Sequence, residues 1–139
     1  MTALSRTPDA DVPSTAAKIL IVDDNQATAR ALAKVMATAH YQTAVSLRGN
    51  EAIDYARANP CAAAVVDIHL PDISGLVVSQ KLREAMGPNA PIIILSGDTS
   101  MEVINTLPHV GATYFFSKPV NAGQLLERLK QWLAAPGGK

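Results

Sequence analysis

The stretch from Ala64 to Asp72 constrains the fold most strongly, because an apolar run leads directly into a carboxylate and then into a loop marked by proline. A short, continuous apolar run predicts a strand buried on both faces, as in a parallel sheet covered by helices. In open α/β sheets, ligands bind in the crevice at the carboxyl ends of the strands. Asp67, at the end of this run, is therefore either a functional residue or simply a cap for the following loop.

Strand-like segments alternate with helical patterns along the rest of the chain. The other predicted strands are Lys18–Val22, Tyr41–Ser46, Pro91–Ser96 and Ala112–Phe116. Apolar residues at helical spacing follow each strand, including a short helix predicted from Thr99 to Leu107 and a last helix whose apolar face contains Leu125 and Leu129. This alternation predicts an α/β fold: a single doubly wound, flavodoxin-like (βα)5 domain with a parallel five-stranded sheet in the order 2-1-3-4-5.

The length of 139 residues fits one domain. Residues 1–17 are rich in Ala, Ser, Thr, Pro and Asp and show no periodicity, so we expect a flexible N-terminal tail. The domain itself is expected to span residues 18–134. The Pro- and Gly-rich residues 135–139 are expected to form a flexible C-terminal tail.

Polar residues mark the carboxyl ends of four of the five predicted strands. Asp23 and Asp24 follow strand one, Asp67 ends strand three, Ser96 ends strand four and Lys118 follows strand five. Converging carboxylates repel one another unless cations are present, and Mg²⁺ prefers oxygen ligands of this kind. With an ammonium and a hydroxyl nearby, the set predicts a phosphoryl-transfer site with Asp67 as the nucleophile. The alternative is an internal salt bridge between Lys118 and an aspartate.

Four motifs in this order carry a resemblance to a known family. They are Ile19–Asp24, Val65–Asp67 with Pro71 and Gly75 behind it, Ile94–Gly97 and Phe115–Pro119. From about Lys18 to Leu133 the chain resembles the receiver domain of response regulators in bacterial two-component signalling. The resemblance implies that Asp67 becomes a 4-aspartylphosphate by accepting a phosphoryl group from a histidine kinase or histidine phosphotransfer protein.

The same resemblance assigns roles to the other residues of the predicted pocket. Mg²⁺ would be the cofactor, held by Asp23, Asp24, Asp67 and the backbone carbonyl of His69. Ser96 would bind a phosphoryl oxygen and move on activation, Lys118 would pair with the acyl phosphate, and Phe115 would be an aromatic rotamer switch. A cis peptide bond between Lys118 and Pro119 is also expected, since X-Pro bonds adopt the cis form far more readily than other peptide bonds.

Three other functions are alternatives to the receiver domain. A phosphatase of the haloacid dehalogenase type would place a second Asp two residues after the nucleophile, where this chain has His69. A flavin-binding domain would need small hydroxyl residues after strand one, where this chain has Asp23, Asp24 and Asn25. A receiver-fold interaction module that signals without phosphorylation stays open as the alternative.

Charge and hydropathy limit the kinds of partner that we expect for this chain. Twelve basic and twelve acidic residues give a net charge of zero, so we expect no direct nucleic-acid binding. No apolar run approaches the roughly 20 residues of a membrane span, and the N-terminus lacks the layout of a signal peptide. We therefore expect a cytoplasmic domain without membrane insertion. It would be a signalling domain rather than an enzyme, with Mg²⁺-dependent self-phosphorylation and dephosphorylation at Asp67, and it would act on a downstream output protein.

Overall fold

The computed structural model of the chain describes residues 17–97, 105 and 111–134. Strands and helices alternate in these ranges, and each is numbered here in chain order. The strands are β1 (Lys18–Val22), β2 (Gln42–Ser46), β3 (Ala63–Asp67), β4 (Ile92–Ser96) and β5 (Tyr114–Ser117). The helices of the described ranges are α1 (Gln26–Ala37), α2 (Gly49–Ala58), α3 (Gly75–Met86) and α4 (Ala122–Ala134).

The five strands form one parallel sheet in the order β2-β1-β3-β4-β5, which confirms the predicted fold class and strand order. The chain first places β2 on one side of β1 and then crosses to β3 on the other side. This reversal makes β1 and β3 the neighbours at which the carboxyl edge of the sheet opens into a crevice. Val22 of β1 pairs with Val66 of β3, so the residues that follow each strand emerge side by side.

The apolar runs of the central strands are explained by burial on both faces of the sheet. Every residue of β3 and β4 is buried, as are the last four of β1. Alternate residues contribute to two separate cores. One core packs β1, β3 and β4 against α2 and α3, through residues that include Leu20, Val66, Ile94, Ile53 and Leu82. The other packs the opposite face against α1 and α4, through residues that include Ile21, Val65, Ile93, Met36 and Leu125.

The bounds of β5 differ from the prediction, because the strand runs from Tyr114 to Ser117 instead of from Ala112 to Phe116. Side-chain hydrogen bonds hold the residues just before the regular strand. The Thr113 hydroxyl accepts a hydrogen bond from the backbone N–H of Ile92 at 3.0 Å. The guanidinium of Arg83 donates to the Gly111 carbonyl and to the same hydroxyl.

Two helix caps and one cis peptide bond complete the fold of the described residues. Asn121 caps α4 by accepting the N–H of Gln124 at 3.0 Å, and Ser74 caps α3 in the same way through Leu76. The Lys118–Pro119 peptide bond is cis, as expected. The predicted short helix Thr99–Leu107, apart from residue 105, and the tails 1–16 and 135–139 lie outside the described residues. In the ranges that are described, no helix has the length and apolarity of a membrane span.

Candidate functional site

The sheet brings the predicted polar residues to one edge. Asp67 is the last residue of β3, and Ser96 is the last residue of β4, while Asp23 and Lys118 directly follow β1 and β5. The ladder continues one residue beyond two of these strands. Asp23 N–H donates to the Ser46 carbonyl at 3.1 Å, and Lys118 N–H donates to the Ser96 carbonyl at 2.8 Å. These bonds fix the backbone from which the Asp23 and Lys118 side chains leave the sheet.

Lys118 joins two buried carboxylates in the centre of this edge. Its Nζ lies 3.0 Å from Asp67 Oδ2 and 3.4 Å from Asp23 Oδ2. Asp23 is fully buried and Asp67 is 5% exposed, whereas the lysine side chain is 30% exposed. The ion pair that the sequence left open as the alternative is therefore present. It accounts for two of the three acids and leaves Asp24 outside the pair.

The second oxygen of each buried carboxylate is held by its own loop. Asp23 Oδ1 accepts the backbone N–H of Asn25 at 2.9 Å, and Asp67 Oδ1 accepts the backbone N–H of His69 at 3.1 Å. Both contacts join an aspartate to the residue two positions later, which is the geometry of an Asx turn. The two loops thereby fix how each carboxylate is rotated toward Lys118.

The local electrostatics favour a charged lysine. Burial alone would lower the pKa of Lys118, but its hydrogen bond to Asp67 and the charges of Asp23 and Asp67 outweigh burial and raise it. Lys118 is therefore a cation at neutral pH. Burial raises the pKa of Asp23, although the Asn25 N–H and the Lys118 ammonium oppose the change. An additional cation beside Asp23 would stabilise its ionised form.

The acids also form a group of oxygen donors that fits a divalent cation. Asp23, Asp24 and Asp67 each offer one carboxylate oxygen, and these three atoms lie within 4.8 Å of one another. Asp24 is exposed, so the group opens to solvent on one side. Three ionised carboxylates and one ammonium leave two negative charges, which one divalent cation would balance. Hard carboxylate oxygens are the donors that Mg²⁺ prefers. His69 is exposed, and metal binding by its carbonyl stays a prediction.

The two predicted switch residues lie on neighbouring strands. Ser96 is fully buried at the end of β4. Phe115 is half-buried and packs against the core formed with α2 and α3, whereas Phe116 packs on the opposite face with α4. Phe115 pairs with Ile94 in the sheet, two residues before Ser96. Ser96 and Phe115 thus lie on paired strands, so a change at one could affect the other. Movement of the two side chains stays a prediction.

Two residues that support the site were not recognised from the sequence as supports. Asn25 holds Asp23 through its backbone and caps α1 through its side chain, which accepts the Thr28 N–H at 3.0 Å. Asparagine immediately before an amphipathic helix is a sequence signal for such a cap. Gly75 is the first residue of α3, and a Cβ atom at this position would overlap the carbonyl oxygen of Asp67. Only glycine permits α3 to begin this close to β3.

Comparisons with known proteins point to one family. Residues 19–130 match the family described as the response regulator receiver domain. The solved structure of a CheY-like response regulator receiver domain protein from Methanospirillum hungatei JF-1 superposes with a TM-score of 0.82 at 28% identity, covering 86% of this chain and 95% of that one.

Curated relatives agree with this match. The chain is 38% identical over 113 residues to the photosynthetic apparatus regulatory protein RegA of Rhodovulum sulfidophilum, covering 80% of this chain and 60% of that protein. It is 30% identical over 115 residues to the sensory/regulatory protein RpfC of Xanthomonas campestris pv. campestris, covering 81% of this chain and 16% of that protein. The chain thus spans less than two thirds of these relatives. With its fold, its acidic edge and these matches, the chain belongs to the response regulator receiver domains of two-component signalling.

Proposed function

We propose that Asp67 accepts a phosphoryl group from a phosphohistidine of a histidine kinase or a histidine phosphotransfer protein. One observation carries the proposal: Lys118 Nζ lies 3.0 Å from Asp67 Oδ2 while Asp23 and Asp24 offer carboxylate oxygens within 4.8 Å. This arrangement combines a nucleophilic carboxylate with positive charge and with donors for a divalent cation. Phosphoryl transfer depends mainly on such positioning and charge stabilisation.

The transfer requires one bond to form and one to break. A carboxylate oxygen of Asp67 attacks phosphorus, the P–N bond of the phosphoimidazole breaks, and its electron pair stays on the imidazole nitrogen. Lys118 then balances charge on the phosphoryl oxygens, and the Ser96 hydroxyl donates to one of them. Asp23, Asp24, Asp67 and the backbone carbonyl of His69 would hold Mg²⁺, which supplies further charge neutralisation when bound. Hydrolysis of the acyl phosphate returns Asp67 to a carboxylate.

We also propose that the phosphoryl group is read through Ser96 and Phe115. New acceptor oxygens beside Ser96 would draw the loop after β4 inward. Phe115 would turn into the space that opens, burying apolar surface worth about 1 to 3 kcal/mol. This amount is enough to shift a two-state equilibrium. The resulting change would reach the docking face, which is defined as β5, α4 and the predicted short helix Thr99–Leu107, most of which lies outside the described residues. It would so alter binding of a downstream output protein.

The docking face has the composition of a recognition surface. Tyr114 is 37% exposed, and its ring centroid lies 5.2 Å from Phe116 and 5.3 Å from Trp132. The guanidinium of Arg128 lies over the Tyr114 ring at 5.2 Å. Aromatic residues and arginine are enriched at protein interfaces, which supports this choice of face.

Intact-mass spectrometry tests acceptance of the phosphoryl group. The protein is incubated with acetyl phosphate and Mg²⁺, as are the Asp67→Asn variant and Asp54→Asn, a control at an exposed acid of α2. We expect wild type and the Asp54→Asn control to gain one phosphoryl group, and Asp67→Asn to gain none. Equal gain in the Asp67→Asn variant would place the phosphoryl group on another residue. No gain in wild type would support the phosphorylation-independent alternative.

Structures with and without beryllofluoride, a mimic of the phosphoryl group, test the readout. We expect Ser96 and Phe115 to change rotamers together when the mimic is bound. If both side chains keep the same rotamers, the signal must leave the domain through another face.

A further inference from the structure

Asp72 links the loop after the phosphoacceptor to a different helix. Its Oδ1 accepts the backbone N–H of Gly49 at 2.8 Å, and its Oδ2 accepts the backbone N–H of Asn50 at 2.8 Å. Both donors belong to the first turn of α2, which lies 22 to 23 residues earlier in the chain. The carboxylate therefore binds this helix end with both oxygens.

This contact replaces a cap that α2 lacks locally. Arg48 occupies the N-cap position with an extended backbone, and its side chain makes no capping hydrogen bond. The first N–H groups of a helix need acceptors, and a carboxylate there also interacts favourably with the helix dipole. The Asn50 N–H, together with that of Gly49, lowers the pKa of Asp72, so the carboxylate is ionised at neutral pH.

Close packing holds the same helix end against the loop. A Cβ atom on Gly49 would lie 2.6 Å from Val78 Cγ2 and 2.8 Å from Ile73 Cγ1, so only glycine fits here without movement of its neighbours. Ile73 directly follows Asp72, and Val78 lies in α3. The start of α2 therefore contacts both the loop and the helix that the loop leads into.

The chain between Asp72 and the site is short and stiff. Only Leu70 and Pro71 separate Asp72 from His69, whose N–H donates to Asp67 Oδ1 at 3.1 Å. The proline ring fixes its own φ angle and restricts the residue before it. Leu70 also packs against the core beside α2 and α3. A displacement of Asp72 would therefore be passed to His69 instead of being absorbed between them.

We propose that Asp72 is a positioning residue for the phosphoacceptor: by holding the first turn of α2, it fixes the loop whose His69 N–H orients the Asp67 carboxylate. The effect of Asp72 on phosphoryl transfer rests on the proposed function. Its effect on the orientation of Asp67 rests only on the hydrogen bonds of Asp72 and His69. The proposal predicts that removing the Asp72 carboxylate loosens the His69 contact, although the Asp72 carboxylate is hydrogen-bonded to Gly49 and Asn50 and not to Asp67 or Lys118.

Amide hydrogen exchange by NMR, without metal or phosphoryl donor, tests the geometry. Asp72→Ala is compared with wild type and with Asp54→Ala, which removes an exposed acid from the same helix. In Asp72→Ala we expect roughly tenfold faster exchange at the Gly49 and Asn50 amides, because both lose a hydrogen bond worth on the order of one power of ten in opening. We expect a similar increase at the His69 amide, because its hydrogen bond to Asp67 Oδ1 is no longer held in place by the loop. Exchange rates in Asp72→Asn should lie between those of wild type and Asp72→Ala, and the rates in Asp54→Ala should match wild type.

The decisive amide is that of His69. A residue that merely capped α2 would change exchange at Gly49 and Asn50 and leave His69 as in wild type, and this result would overturn the proposal. Unchanged exchange at all three amides would overturn it as well.

A titration with Mg²⁺ separates this inference from the proposed function. We expect Asp72→Ala to bind Mg²⁺ roughly tenfold more weakly than wild type, as for groups that orient metal ligands. Equal affinity in the two proteins would contradict the positioning role. If wild type itself binds no Mg²⁺, the proposed use of Mg²⁺ fails, while the exchange at His69 still decides the role of Asp72.

Discussion

Asp23 and Asp67 hold their carboxylates in the same way, although 44 positions separate them. Each Oδ1 accepts the backbone N–H two residues later, at 2.9 Å from Asn25 and 3.1 Å from His69. Each Oδ2 faces the same ammonium, with Lys118 Nζ at 3.4 Å from Asp23 and 3.0 Å from Asp67. One lysine thus stabilises two carboxylates whose orientations are set independently by their own loops.

Replacing Lys118 should expose the repulsion between these acids. We expect Lys118→Met to lower the free energy of unfolding by about 1 to 2 kcal/mol, less than for a fully buried pair because the lysine is partly exposed. Mg²⁺ should recover part of the loss, since a divalent cation can replace the missing charge. Urea denaturation with and without Mg²⁺ measures both effects, with the exposed Lys81→Met as the control. Unchanged stability would mean that the ion pair contributes nothing to the fold.

Asp24 is expected to serve the metal and not the fold. It is exposed, unlike Asp23 and Asp67, but its carboxylate lies within 4.8 Å of theirs. We expect Asp24→Ala to weaken Mg²⁺ binding roughly tenfold or more, because even groups that only orient metal ligands cost this much when removed. NMR titration measures the affinity, and Glu51→Ala removes an exposed acid elsewhere as a control. Affinity equal to wild type would show that the acidic group is not the metal site.

We predict that Ser79 lowers the free energy of unfolding of the domain. Its hydroxyl is fully buried in α3 and has no hydrogen-bond partner within the described part of the chain. Ser79→Ala removes this unsatisfied group and has a higher helix propensity, so we expect a gain of about 1 kcal/mol in the free energy of unfolding. Urea denaturation measures the change. A loss of stability would show that the hydroxyl has a partner, such as a bound water.

The cap on α2 should give a stability difference that depends on pH. The N–H groups of Asn50 and Gly49 lower the pKa of Asp72 below its ordinary value of 3.8, so the folded state binds the Asp72 proton less readily than the unfolded state. Its stabilising effect is therefore complete above pH 3.8 and is lost as the pH falls through the lower folded value. We expect Asp72→Asn to be less stable than wild type at neutral pH, with a difference that is constant down to about pH 5 and vanishes at acid pH.

Urea midpoints measured across this pH range for wild type and Asp72→Asn would show the dependence. A difference that persists unchanged at acid pH would contradict an ionised cap.

The sequence was sufficient to predict the convergence of Asp23, Asp67, Ser96 and Lys118. Strands buried on both faces leave continuous apolar runs, and parallel strands bring their carboxyl ends to one edge, so strand order alone determined which residues meet. Asp72 was not recognised, because no sequence pattern relates a loop acid to a helix start 23 residues earlier. The predicted start of β5 at Ala112 was wrong for a similar reason. The residues just before the strand are held by a hydrogen bond from Arg83, 28 residues before Gly111, to the Gly111 carbonyl.

Borohydride reduction followed by peptide mapping tests the central claim, that Asp67 is the phosphoacceptor, most directly. The protein is phosphorylated by acetyl phosphate with Mg²⁺ and then treated with borohydride, which converts the carboxyl carbon of an acyl phosphate to an alcohol and turns aspartate into homoserine. We predict homoserine at residue 67, with unmodified aspartate at residues 23 and 24. Homoserine at either of those positions, or at none of the three, would contradict the account.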